Sequence, residues 1–265
     1  MFTSKNGKKV VIGLVHLKPL PATPLYKEGD LEESIEKALK DTQALMNGGA
    51  HGCLLQSVDR IYPSGDDTDY ARVSGMTTIA HEVRKLVGNR DFKIGVQLMW
   101  NCITPSLAIA KVTKADFTRC TALVGTTDSP FGVINANPYK VQSYRRNINA
   151  MDVKMIAEIQ GYHFKGEYDR NTLVASARSA MMVGGDAVEV LHPDEELNNK
   201  MVHDIKTALP SLPVILGGGT DLENAARRMK EADGVLVGSC FEGGKWGGFI
   251  DESIVKEYMG IIASL

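Results

Sequence analysis

The chain lacks the features that mark several large classes of protein. No uninterrupted apolar run approaches the ~20 residues of a membrane-spanning helix, and aromatic residues make up only 6% of the 265 residues. Neither sign of charge dominates, because 30 basic residues face 32 acidic ones and leave a net charge of −2. Proteins that bind nucleic acid usually carry a basic face or a high pI. We therefore predict no nucleic acid partner.

Cysteine is scarce and widely spaced. The four cysteines, at positions 53, 102, 120 and 240, form no C-x-x-C pair, which is the close spacing that zinc and redox motifs need. The acidic segment 64–69 resembles a cation-binding loop but lacks the later glutamate of an EF-hand. We predict reduced thiols and no metal site, and no residue pattern identifies a cofactor.

The apolar segments are too short or too polar for export or membrane insertion. Residues 1–9 are polar and basic, and the apolar run 10–15 that follows is shorter than a secretory signal requires. The longest uncharged stretch, 94–110, contains several polar residues and a proline. These features predict a soluble, cytoplasmic protein with no integral membrane segment.

Short apolar runs alternate with amphipathic stretches along the whole chain. Eight runs have the composition of strands that are buried on both faces, at residues 10–15, 53–55, 94–99, 115–121, 153–159, 187–191, 213–216 and 234–237. Eight stretches have helical spacing, at residues 30–46, 73–87, 104–112, 139–148, 171–183, 194–209, 221–229 and 251–263. Eight strand–helix pairs of about 33 residues each predict an α/β protein with a single (β/α)8 TIM barrel domain over residues 1–265.

Glycine-rich segments follow the seventh and eighth predicted strands. They contain Gly217, Gly218, Gly219 and Thr220, and then Gly238 and Ser239. Glycine lets backbone N–H groups approach a phosphate closely, and many such barrels bind phosphate on the loops after strands seven and eight. We therefore predict a phosphate-binding barrel with its site at these six residues. The alternative is two ordinary strand-to-helix turns.

Polar residues at the ends of other strands are candidates for proton transfer, because the active site of this fold lies at the carboxyl ends of the strands. His16 directly follows the first predicted strand, and Glu158 lies in the fifth with His163 five residues later. A carboxylate at a barrel mouth is partly desolvated, which raises its pKa toward general acid–base use. We expect His16 and Glu158 to transfer protons, with His163 as a further catalytic candidate.

Asn101 and Arg119 are candidates for orienting a substrate or stabilising negative charge. Arg119 lies within the fourth predicted strand, where an unpaired buried charge would be costly. A structural ion pair between Arg119 and Glu158 is therefore the alternative for both residues. Glu189 repeats the position of Glu158 one strand later, with His192 beyond it. These side chains would form either a polar cluster or a layer of salt bridges.

Several segments resemble those of the BtpA/SgcQ family. The most specific reads IGLVHLKPLPATP at residues 12–24, and further matches occur at 115–119, 144–146, 217–224 and 232–239. The resemblance covers nearly the whole chain and implies a TIM-type barrel. One branch of the family is named for the biogenesis of photosystem I, and another is associated with sugar-uptake gene clusters.

The chain departs from the family pattern after several strands. Gln56-Ser57 stand where the family usually has Glu-Asn, and Trp100-Asn101-Cys102 stand where it has Arg-Asn-Asp. Glu158 replaces an Asp of the fifth strand. These differences imply either a different substrate or lost catalysis.

Taken together, these features predict an enzyme that acts on a small phosphorylated metabolite such as a sugar phosphate, by isomerase, lyase or hydrolase chemistry. The alternative is a non-catalytic assembly, biogenesis or regulatory factor that keeps the barrel. A mouth filled by Trp100 or by the loop around Trp246 would favour that alternative. A homo-oligomer is compatible with this fold, and no sequence feature counts subunits.

Overall fold

The computed structural model describes residues 1–2, 9–161 and 167–265. Ten strands occur in these residues: β1 (Val10–His16), β2 (Gly52–Gln56), β3 (Lys93–Gln97), β4 (Phe117–Cys120), β5 (Thr126–Ser129), β6 (Gly132–Asn135), β7 (Lys154–Gln160), β8 (Ala187–Val190), β9 (Val214–Leu216) and β10 (Gly234–Val237). All except β5 and β6 form a closed barrel of parallel strands, in which β1 pairs with both β2 and β10.

A helix separates each barrel strand from the next, and one more follows the last strand. The helices of the described residues are α1 (Asp30–Gly48), α2 (Tyr70–Val87), α3 (Ile103–Thr113), α4 (Pro138–Asn147), α5 (Arg170–Met182), α6 (Glu195–Ala208), α7 (Ala225–Arg228) and α8 (Glu252–Ala263). The predicted (β/α)8 barrel is therefore confirmed. No helix in the part of the chain that the structure describes is long and apolar enough to cross a membrane.

Helix α7 is a single turn and is shorter than the predicted helix 221–229. The residues before it form a turn instead, because the Asp221 carboxylate accepts hydrogen bonds from the backbone N–H groups of Glu223 and Asn224, both at 2.9 Å. The Asn224 side chain donates in turn to the carbonyl of Gly219 at 3.1 Å. Asp and Asn side chains favour such local turns over helix, so the glycine segment ends in a turn and not at a helix.

The barrel interior is filled with apolar side chains at its amino-terminal end. Ile12, Leu54, Phe117 and Ile215 belong to this interior cluster. Phe2 closes it from below, with its ring 5.7 Å from the ring of Phe117 in an edge-to-face arrangement. A second and larger core lies between the outer faces of the strands and the helices. Because one end of the barrel is filled, an open site is left to the carboxyl end.

The sequence pattern did not predict the hairpin formed by β5 and β6. These strands pair in antiparallel register, with Thr126 opposite Asn135 and Ser129 opposite Gly132. The hairpin is inserted after barrel strand β4 and is followed by α4. It is an addition to the barrel and lies where the fold places its binding loops.

The acidic segment that resembles a cation loop has a structural role. The Asp66 carboxylate accepts from the Thr104 backbone N–H at 2.7 Å and from the Thr104 hydroxyl at 2.9 Å, in the first turn of α3. It also forms an ion pair of 3.2 Å with Lys140 of α4. Asp66 therefore holds the loop after β2 against the starts of two helices.

Candidate functional site

A cavity of about 930 Å³ opens at the carboxyl end of the barrel. Its wall is formed mainly by the loops after β2, β3, β8, β9 and β10, together with Leu14 and His16 of β1. In the circular order of the barrel, β9 and β10 lie across from β3 and β4. The cavity therefore has two opposite sides, which we call the glycine side (217–221 and 238–240) and the far side (58–62 and 99–100).

Unpaired backbone donors characterise the glycine side. Within the described residues, the N–H groups of Gly218, Gly219 and Ser239 donate to no backbone or side-chain acceptor. Gly218 and Gly219 have φ angles of 140° and 71°, a region that other residues rarely adopt. Thr220 is anchored differently, since its hydroxyl accepts from Tyr258 at 2.9 Å. The six predicted phosphate-binding residues all line the same cavity.

His16 lies beside the glycine side and is held by a carboxylate. Its Nδ1 is 2.9 Å from Oε1 of Glu242, and both side chains are buried. The second oxygen of Glu242 accepts from the backbone N–H of Gly247 at 3.1 Å. With Nδ1–H donating to the carboxylate, Nε2 of a neutral His16 is an acceptor. A Cβ at Gly238 would lie 2.9 Å from the ring carbon Cε1, so the second glycine segment approaches this ring closely.

Glu242 was not among the predicted site residues. It is separated from His16 by 226 positions in the chain, and contacts of that range have no local signature. One signal was available: Glu242 is the only carboxylate in the segment 238–250, which is otherwise rich in glycine. A lone carboxylate in a loop after a barrel strand is a candidate site residue, because active-site residues of this fold come from those loops.

An aromatic and cationic stack borders His16. The ring of Trp246 lies 5.4 Å from the ring of His16, and the guanidinium of Arg60 lies 4.2 Å from the centre of the Trp246 ring. Both Trp246 and Trp100 line the cavity and leave it open. The mouth is therefore not filled by either tryptophan.

Arg119 lies at the floor of the cavity and is bound by two buried carboxylates. Its Nε is 2.6 Å from Glu189, and its Nη2 is 2.9 Å from Glu158 and 2.5 Å from Glu189. Both carboxylates are fully buried. Arg119 is among the lining residues, whereas Glu158 and Glu189 are not. This geometry favours the ion-pair interpretation of Glu158 over the proton-transfer interpretation.

Asn101 joins two loops through its side-chain amide. Its Nδ2 donates to the carbonyl of Ala122 at 3.2 Å, and its Oδ1 accepts from the N–H of Ala122 at 2.8 Å. The amide is buried and is not among the residues that line the cavity. His163 lies outside the described residues. The structure thus brings His16 to the glycine side and places Arg119 below it.

The far side is held together by Arg72 of α2, which the sequence pattern did not single out. Its guanidinium binds Asp59 at 3.0 and 2.5 Å, donates to Ser57 at 3.1 Å and also donates to the carbonyl of Met99. Asp59 in turn accepts from the backbone N–H of Leu20 at 2.8 Å. Both charged groups are almost fully buried. Arg72 therefore connects the loops that follow β1, β2 and β3.

Three aromatic rings form a cluster on the far side, which we call the aromatic cluster (Tyr62, Trp100 and Phe131). Their ring centres are 5.5 Å apart for Tyr62 and Trp100, 5.1 Å for Tyr62 and Phe131, and 5.4 Å for Trp100 and Phe131. Tyr62 and Trp100 line the cavity, and Phe131 lies in the turn of the β5–β6 hairpin. Burial raises the pKa of the Tyr62 hydroxyl, so it remains protonated at neutral pH.

Comparison with known proteins gives the family. The BtpA family model matches residues 7–264. The chain belongs to the BtpA family. An uncharacterized protein from Archaeoglobus fulgidus is 33% identical over 254 residues, which cover 94% of this chain and 96% of that protein. The photosystem I biogenesis protein BtpA from Synechocystis is 30% identical over 257 residues, covering 96% of this chain and 86% of that protein.

Solved structures share the barrel of this BtpA-family chain at low sequence identity. Tryptophan synthase from Mycobacterium tuberculosis superposes with a TM-score of 0.65 at 14% identity, covering 97% of this chain and 93% of that chain. Thiamine phosphate pyrophosphorylase from Pyrococcus furiosus gives 0.57 at 14%, covering 98% and 97%. The N-acetylmannosamine-6-phosphate 2-epimerase from Clostridium perfringens gives 0.54 at 15%, covering 96% and 93%. At these identities the likeness establishes the fold.

A neutral hydrogen-bond network joins the carboxyl ends of β2, β3 and β4. Gln56 donates to Oε1 of Gln97 at 2.8 Å, and Gln97 donates to the hydroxyl of Thr121 at 3.3 Å. Ser57 accepts from the backbone N–H of Met99 at 3.0 Å. Gln56 and Ser57 line the cavity. An uncharged amide therefore occupies the wall between the glycine side and the far side.

Proposed function

We propose that the cavity binds a phosphorylated small molecule and that the protein is an enzyme that acts on it. The observation that carries this proposal is the set of unpaired N–H groups at Gly218, Gly219 and Ser239, which line one cavity together with His16. Successive backbone N–H groups in loops of this kind form concave sites for phosphate oxygens. Two structural neighbours, the pyrophosphorylase and the epimerase, are named for phosphorylated compounds, which supports the same class of ligand.

His16 is the group that we assign to proton transfer. Glu242 holds Nδ1–H and leaves Nε2 to accept a proton from the ligand. The carboxylate would then stabilise the imidazolium that forms, as in other histidine–carboxylate pairs. This single transfer is compatible with isomerase, lyase and hydrolase chemistry. Arg119 receives no anion-binding role, because two buried carboxylates already bind its guanidinium.

The second candidate function is assembly or biogenesis without catalysis. The relative from Synechocystis is named for photosystem I biogenesis, which supports this candidate. The open cavity favours the first candidate, because Trp100 and Trp246 line it without filling it. The two candidates differ in whether a phosphorylated compound binds and is converted.

A thermal-shift series tests the binding. We expect inorganic phosphate, glycerol 3-phosphate, ribose 5-phosphate or glucose 6-phosphate to raise Tm, since a ligand at 100 times its Kd stabilises the native state by about 2.7 kcal/mol. Ser239→Asp would place a carboxylate beside the phosphate and abolish the shift. Ser74→Asp, the same substitution at an exposed site of α2 away from the cavity, would preserve it. No shift with any compound, or a full shift in Ser239→Asp, would refute the proposal.

A substitution of Glu242, which positions His16, tests the assignment of proton transfer to His16. Glu242→Gln would keep the ligand-induced rise in Tm but lower kcat about 10²–10⁴-fold, the usual contribution of general acid–base catalysis. His16→Asn would lower kcat at least as far. Unchanged kcat in both variants would show that this pair does not transfer the proton.

A further inference from the structure

The aromatic cluster is assembled from three separate segments at the mouth of the barrel. Tyr62 comes from the loop after β2, Trp100 from the loop after β3 and Phe131 from the hairpin after β4. All three side chains are half-buried and none belongs to either hydrophobic core. Their rings therefore contact each other, in tilted and edge-to-face arrangements, at the rim of an open cavity and not inside the protein.

Apart from Arg60, whose guanidinium lies over the ring of Trp246, the rest of the cavity lining on the far side is apolar. Val58 and Met99 line the cavity beside Tyr62 and Trp100. A sugar hydroxyl buried here would need hydrogen-bond partners, and leaving a hydroxyl without one costs about 1–3 kcal/mol by mutational measurements. A planar ring would instead gain stacking or edge-to-face contacts with aromatic side chains. The far side therefore suits a ring better than a chain of hydroxyl groups.

The volume of the cavity agrees with a ligand that reaches across it. Sites of about 300–1,000 Å³ hold molecules of drug size, and this cavity measures about 930 Å³. A phosphate with a three-carbon chain on the glycine side would leave the far side unused. Between the two sides, the Gln56 carboxamide oxygen accepts no hydrogen bond from the described residues, so it can accept one from a ligand hydroxyl or N–H.

We propose that the ligand is a phosphorylated compound whose other end is a planar aromatic ring, as in a nucleoside monophosphate, with the phosphate on the glycine side and the ring on the aromatic cluster. This inference rests on the proposed function, because it assumes that the glycine side binds the phosphate. It adds the chemical class of the rest of the molecule. It also gives the β5–β6 hairpin a role, since the hairpin supplies Phe131 behind Trp100.

Matched ligands test the inference by calorimetry. Ribose 5-phosphate and uridine or adenosine 5′-monophosphate share the sugar phosphate and differ in the planar base. We expect at least one nucleotide to bind about tenfold tighter than ribose 5-phosphate, which corresponds to the energy of aromatic contacts. If ribose 5-phosphate binds as tightly as both nucleotides, the inference is wrong and the proposed function stands. If neither these compounds nor inorganic phosphate bind, both fail.

Substitutions in the aromatic cluster test whether the base of the nucleotide binds there. Trp100→Leu and Tyr62→Leu would reduce the nucleotide preference to less than about threefold, with the affinity for ribose 5-phosphate unchanged. Tyr139→Leu is the matched control, because Tyr139 is 85% exposed and does not line the cavity. A nucleotide preference that survives both cluster variants would place the base elsewhere and overturn the inference.

Fluorescence gives an independent measurement. The chain has two tryptophans, so Trp246→Phe leaves Trp100 as the only indole. Saturating nucleotide would change the emission of Trp100, whereas saturating ribose 5-phosphate would not. An emission that responds to neither compound, although the nucleotide binds by calorimetry, would contradict stacking on Trp100.

Discussion

The two sides of the cavity differ in the kind of chemical group that lines them. The glycine side is formed by short segments directly after β9 and β10, and it presents backbone N–H groups to the cavity. The far side is formed by the loops after β2 and β3, with the β5–β6 hairpin behind them, and it presents large side chains to the cavity. Under the proposed function, the segments after β9 and β10 would recognise a common group such as phosphate. The loops after β2 and β3 would distinguish one ligand from another.

The largest expected change in the free energy of unfolding follows a substitution of Arg72, which holds the far side together. Arg72→Leu would leave the buried Asp59 carboxylate without its cation, which typically costs about 3–5 kcal/mol. The double variant Arg72→Leu/Asp59→Leu would lose less than the single one, because no uncompensated charge remains buried. Urea unfolding measures the free energy of unfolding of the single and the double variant. Arg227→Leu, which breaks an exposed ion pair of 2.7 Å with Glu195, would change little. A loss below about 1 kcal/mol in Arg72→Leu would contradict this account.

The difference between local patterns and long-range contacts explains which features the sequence could predict. All eight barrel strands and their helices were recognisable, because apolar periodicity is local. The glycine side was recognisable too, since glycines next to a predicted strand need no distant partner to be noticed. Arg72 and Glu242 were missed because each acts through a contact with another part of the chain. The hairpin was missed although Pro130-Phe131-Gly132 is a turn signal between two short runs with strand residues.

On the glycine side, the largest effect is expected at Gly217. A Cβ at this position would lie 2.9 Å from Cδ of the buried Glu189, so Gly217→Ala would overpack the floor and cost about 1–3 kcal/mol. Gly260→Ala in α8 is the control, because nothing lies within 4 Å of its Cβ. Alanine is preferred there by about 0.5–1 kcal/mol. Urea unfolding should therefore give opposite signs for the two variants, and equal signs would contradict the contact.

A smaller effect is expected where the two sides meet, at Trp246 and Arg60. Trp246→Leu would remove a cation–π contact of 4.2 Å, worth about 0.5–1 kcal/mol at an exposed site. A double-mutant cycle with Arg60→Leu isolates this energy. We expect a coupling of that size, and additive effects of the two substitutions would show that the stack does not stabilise the protein.

The smallest expected effect concerns the reactivity of two cysteines and leaves the free energy of unfolding unchanged. Cys240 on the glycine side is half-buried, whereas Cys102 behind the far side is buried, and burial raises the pKa of both thiols. Because only the thiolate reacts, labelling by a disulfide reagent should be slow and should rise about tenfold per pH unit below the raised pKa. Cys240 should react first, and phosphorylated ligands should protect it. Labelling of Cys102 at the same rate would contradict the described burial.

The contact between His16 and Glu242 has a consequence for the order of events during synthesis. His16 ends β1, and Glu242 follows it by 226 positions, after β10. Its partner is therefore synthesised only after all eight barrel strands, and a nascent barrel without Glu242 cannot fix the imidazole tautomer. The proposed chemistry would thus begin only once Glu242 has been made, so products that stop before it would contain the histidine without being active.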